Sequence, residues 1–98
     1  MTTVHIFDGN DRLYQRWLAE HPKGFVCNTR RTPDPEYRVL YRSHCHSIRN
    51  YHAMAKSGAY TERSFIKVCA GNLSDLRQWV KTHGRRDGSF SKECSFCN

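Results

Sequence analysis

The 98-residue sequence is short of apolar residues, of acidic residues and of long hydrophobic runs. Only 38 % of it is hydrophobic, and the mean hydropathy is -0.79. No stretch is long and apolar enough to predict a membrane span. The opening MTTVHIFDGNDR lacks the apolar segment of a signal peptide. These absences predict one cytoplasmic domain over residues 1–98 with no membrane partner. An even cysteine count is also missing. Five cysteines exclude a fully paired disulfide framework. In a reducing compartment they read as thiols or metal ligands. There is no internal repeat and no low-complexity segment.

What is there is positive charge. Sixteen Lys and Arg stand against nine Asp and Glu, for a net charge of +7. The surplus lies in the middle, at Lys23, Arg30, Arg31, Arg38, Arg42, Arg49, Lys56, Arg63 and Lys67. Such a stripe predicts a polyanionic partner, nucleic acid (DNA or RNA) first and an acidic protein second. The plainer alternative is a solvated basic surface. Aromatic residues make up 12 % of the chain. They enlarge a core that remains small and would gain from closure by a metal.

The local pattern predicts a small α+β fold with an antiparallel sheet of three to four strands. Both main helices are placed on one face of it. TTVHIF is short and β-rich. NDRLYQRWLAEHP reads as a helix burying Leu13, Tyr14, Trp17 and Leu18, capped by Asn10 and ended by Pro22. GFVCNTRR and YRVLYRSHC form a hairpin around TPDPE, whose two prolines cannot continue a central strand. Residues 46–64 read as a short helix or an ordered loop. SFIKVCA is a strand. NLSDLRQWVKTHG is the clearest helix, with Asn72 and Asp75 as a capping pair, Leu76, Trp79 and Val80 as core face, and Gly84 at its end. Residues 85–98 form a turn and a Cys-x-x-Cys tail that folds back on the sheet.

That tail supplies half of a tetrahedral zinc site, because a Cys-x-x-Cys turn sets two thiolates on one side of the metal. Cys45 and Cys69 close two strands and complete a predicted set of Cys45, Cys69, Cys94 and Cys97, with His44 or His46 as the substitute ligand. Cys27 lies mid-strand and reads as a small buried hydrophobe. A redox Cys-x-x-Cys normally opens a helix, and only Asn98 follows Cys97. His44, His46 and His52 leave a second reading open, a small metal-dependent nuclease or toxin, although no HNH-like spacing accompanies them.

The hairpin carries the densest cations. Arginine forks onto phosphates, an amide reads a base edge or ribose, and tyrosine stacks on unpaired bases. On that chemistry Asn28, Arg30, Arg31, Arg38, Arg42, Tyr60 and Lys67 are the predicted nucleic-acid contacts. Alternation further predicts an apolar hairpin face of Phe25, Cys27, Tyr37, Val39 and Tyr41, with the arginines opposite. Tyr37 and Tyr41 are then core residues as readily as stacking platforms.

The run Gly24-Phe25-Val26, Asn28, Arg30-Arg31, Pro33, Pro35 and Tyr37, with a following cysteine and a terminal Cys-x-x-Cys, resembles a small uncharacterised bacterial domain family. The resemblance implies the layout over nearly the whole chain and no activity. The sequence thus predicts a zinc-stabilised basic module that binds nucleic acid through its arginine hairpin. An enzyme is not favoured, and an adaptor or inhibitor for an acidic protein is the remaining alternative.

Overall fold

The computed structural model describes residues 3–32, 34–45, 48, 61 and 65–94. The predicted element over 46–64 therefore lies almost wholly outside the described residues, as do His46, His52, Tyr60 and Cys97. In chain order the elements are β1 (His5–Phe7), α1 (Asp11–Glu20), β2 (Phe25–Arg30), β3 (Arg38–Arg42), β4 (Phe65–Ala70), α2 (Leu73–Thr82) and β5 (Lys92–Glu93). This is an α+β fold on one five-stranded sheet of order β1-β4-β2-β3-β5. The sheet is mixed rather than wholly antiparallel, because β5 runs parallel to β3. No described helix is long and apolar enough to cross a membrane.

Both helices start where side chains replace missing backbone partners. Asn10 Oδ1 accepts from Leu13 N at 3.0 Å, and Asn72 Oδ1 accepts from Asp75 N at 2.9 Å. α1 buries Tyr14, Trp17 and Leu18. The predicted Leu13 is 48 % exposed instead, at the margin of the apolar stripe. α2 buries Leu76 and Val80.

The helices cover opposite faces of the sheet, which corrects the one-face expectation. Register decides it. Val26 pairs with Tyr41 on one side and Cys69 on the other, and this row packs with Tyr14, Trp17 and Leu18 of α1. Cys27 pairs with Leu40 and Val68, and that row packs with Leu76 and Val80 of α2. Adjacent residues of a strand point to opposite faces, so β2 and β4 are buried on both. The same register separates Phe25 and Cys27 from Val39 and Tyr41. The predicted apolar hairpin face does not exist, because the true pairing is shifted by one residue from the assumed one.

Two close approaches lock the layers. A Cβ on Gly24 would stand 2.7 Å from Trp17 Cη2 and 2.9 Å from Ser43 Oγ, so only glycine lets α1 reach the sheet there. Gly84 ends α2 at φ +110°, and a Cβ there would meet Pro35 Cγ at 2.5 Å. The hairpin turn thus rests on the C-terminal end of α2. Arg85 Nη1 ties the contact by donating to Pro35 O at 3.0 Å.

Candidate functional site

The cysteines divide into two environments. Cys45 follows β3 and Cys94 follows β5, and their sulfurs are 3.8 Å apart. Cys94 N donates to Leu40 O at 2.9 Å, so backbone pairing carries the tail to this position. Cys69 belongs to the same buried cluster as Cys45, with Cys94 packed against it, whereas Cys27 lies on the other face of the sheet. Cys69 is fully buried on β4, opposite Val26 and His5. Between β4 and β5 lie β2 and β3. At about 4.8 Å per strand step, three steps set the β4 and β5 backbones about 14 Å apart. The remaining predicted ligand, Cys97, lies outside the described residues. Among the described residues no three His, Cys, Asp or Glu side chains gather as metal ligands. Burial pushes the Cys69 thiol up from its ordinary range, and pushes Cys27 up to about 12, as expected of inert core thiols. His44 is exposed.

The predicted nucleic-acid contacts also separate. Arg38 is 3 % exposed. Its guanidinium donates to the carbonyls of Asp34 (2.7 Å), Tyr37 (3.1 Å) and His83 (3.2 Å) and lies over the Trp79 ring. It latches the turn to α2 and has no access to a polyanion. Lys67 is 4 % exposed and donates to Asn28 Oδ1 at 2.8 Å. Burial lowers its pKa to about 8, with nearby Cys69 and Asp11 opposing the shift. Asn28 and Lys67 therefore satisfy each other inside the sheet, where an unpaired polar group would be costly. Arg31 pairs with Asp8 and donates to Thr61 O at 2.7 Å. Thr61 in turn donates from N and Oγ1 to buried Asp11, each at 2.6 Å. Arg30 faces Asp34 at 3.5 Å and stacks on Tyr37, 4.6 Å from the ring centroid.

Arg42 is exposed at the far end of the hairpin, paired with Phe25 across the strands and 5.4 Å over its ring. Arg30 and Arg42 thus occupy opposite ends of one hairpin, and the six predicted contacts among the described residues form no single patch.

The sequence reading passed over two groups. Asp11, Tyr14 and Thr61 form buried polar anchors, and only their long-range partners reveal them. Tyr14 OH donates to Ile48 O at 2.8 Å, 34 positions away. Arg77, Gln78 and Lys81 lie exposed along α2. Their signal was present in the helical period, as the polar complement of Leu76 and Val80. The first of two adjoining clefts beside α2, about 300 Å³, is lined by Ser74, Arg77, Gln78, Lys81 and Asp87. The second shares Arg77 and Asp87 and adds Phe90 and Glu93.

No family model, curated protein or solved structure matches the chain.

Proposed function

We propose that this chain is a zinc-closed basic module that binds nucleic acid. The observation that carries the binding reading is the set of cations left over after the internal contacts are counted. Among the described residues, Arg12, Lys23, Arg42, Arg77, Lys81, Arg86 and Lys92 are exposed and have no carboxylate within ion-pair distance. Cations spent on internal carbonyls and carboxylates do not build an external field, whereas these do. Salt-sensitive association is the test, since each neutralised phosphate releases counterions. Retention of a labelled oligonucleotide at low salt, lost steeply as salt rises, is the expected result. Absence of binding to DNA and RNA at low salt overturns the reading.

The zinc part is supported by one distance. Tetrahedral thiolates about 2.3 Å from zinc stand about 3.8 Å from each other, and the Cys45 and Cys94 sulfurs are 3.8 Å apart. Cys97, three residues on, supplies a third thiolate. Because two strands separate β4 from β5, His44 or His46 is preferred to Cys69 for the fourth position in this reading. Zinc would act there as a structural clasp holding β5 to β3. Elemental analysis of the purified chain should find about one zinc. Cys45→Ser and Cys94→Ser should lose it, and Cys69→Ala should keep it. Metal-free protein with unchanged unfolding overturns the clasp.

A further inference from the structure

Arg77, Gln78 and Lys81 project from the side of α2 opposite buried Leu76 and Val80. Arg77 and Lys81 are four positions apart and Gln78 and Lys81 three, spacings that make neighbours on a helix surface. Ser74 precedes them by one turn and is also exposed. Among the described residues, the side chains of Arg77, Gln78 and Lys81 make no hydrogen bond or ion pair, and only the Gln78 carbonyl accepts from a side chain, Thr82 Oγ1. Arg86 is exposed just beyond the helix end. Three of the four hairpin arginines differ, since Arg30 and Arg31 are held in ion pairs and Arg38 by buried carbonyls, while Arg42 lies over the Phe25 ring.

From this contrast we propose that α2 is the DNA-contacting element, laying its Arg77–Gln78–Lys81 face in the major groove of duplex DNA. The proposal rests on the nucleic-acid reading above and names its surface and substrate class. The dimensions suit it. Ten residues give a helix about 15 Å long and about 10–12 Å across, and the B-DNA major groove is about 12 Å wide. Arginine makes paired bonds to guanine and glutamine to adenine, so two adjacent positions offer base readout. Lys81 and Arg86, toward the helix end, supply the phosphate contacts that fix orientation. Asp87 is the one carboxylate lining the cleft. It accepts from Ser89 N at 3.0 Å and Ser89 Oγ at 2.7 Å, and these bonds hold its carboxyl below the usual range. It would repel a phosphate and accept from a cytosine amine, which steers the backbone toward Lys81 and Arg86. The deep, narrow major groove of duplex RNA does not admit side chains in this way.

Fluorescence anisotropy on the full chain tests this, with a labelled 20-base-pair DNA duplex, its single strand and the matching RNA duplex as probes. The parent should prefer duplex DNA. Arg77→Ala/Lys81→Ala should weaken duplex binding about tenfold or more and reduce the salt slope by about two contacts. Arg30→Ala/Arg42→Ala should lose less. Far-UV circular dichroism checks that both double variants fold. If Arg77→Ala/Lys81→Ala binds like the parent while Arg30→Ala/Arg42→Ala loses affinity, the α2 assignment falls and the nucleic-acid reading stands. Equal or tighter binding of the single strand or the RNA duplex overturns the duplex-DNA assignment. No binding to any probe overturns both readings.

Discussion

The hairpin and α2 are both rich in cations, yet they use them in opposite ways. The hairpin sends β2 and β3 through the middle of a sheet covered on both faces. A cation there must find partners or stay uncharged. Arg38, buried there, finds three carbonyls, whereas Arg31 lies exposed past the end of β2 in an ion pair with Asp8. α2 covers the sheet from outside, so half its circumference meets water. Its cations need no partner and remain available. Cation density along a sequence therefore measures binding capacity only after burial has been subtracted.

The sharpest way to break this comparison is to exchange a cation on each side. Arg38→Ala should cost about 3 kcal/mol of stability, because three carbonyls lose a charged donor. Arg77→Ala should change stability by less than about 0.5 kcal/mol. Urea unfolding of both variants measures the difference, and equal losses would dissolve the distinction.

Buried Lys67 gives a smaller effect with a defined sign. Its folded pKa of about 8 lies below the ordinary lysine value of 10.5. Between these values the unfolded chain binds more protons, so this lysine makes stability rise with pH. Cys27 and Cys69 act oppositely. Burial holds their folded pKa values above the ordinary thiol value of 9.0, so they remove stability as pH climbs past it. One rising contribution against two falling ones predicts a stability maximum near pH 9. The gain from pH 8 to 9 should be about 1 kcal/mol at most. Lys67→Met should abolish the rising limb. A pH series of chemical denaturation in which the variant keeps that limb would place its origin elsewhere.

Smaller still are the effects at the hairpin surface. Arg42→Ala should weaken duplex DNA binding about threefold, as loss of one exposed phosphate contact at moderate salt. Asp34→Ala should free Arg30 from its exposed ion pair. Stability should then shift by less than about 0.5 kcal/mol, with a slight gain in DNA affinity. A marked affinity loss in Asp34→Ala would show that the turn itself makes the contact.

Much of the local structure was legible. Asn10 and Asn72 cap the helices as read, the turn between β2 and β3 holds Pro35, and Leu76 and Val80 bury. These signals operate within a few residues of chain, where period and capping chemistry suffice. The candidate metal site was legible only in part. Cys45 and Cys94 meet, but Cys69 follows β4 to the other side of β2 and β3. The burial of Arg38 was not legible, since its carbonyl at His83 lies 45 positions away.

By itself the sequence determined the charge surplus, the two amphipathic helices and the strands that flank the proline turn. Composition and short-range periodicity carry that information. Tertiary structure alone decided the strand order, the one-residue register and the opposite placement of the helices. Those depend on pairings between distant segments, whose free energy no local pattern encodes. Through them it also decided which cations were spent inside and which stayed on the surface.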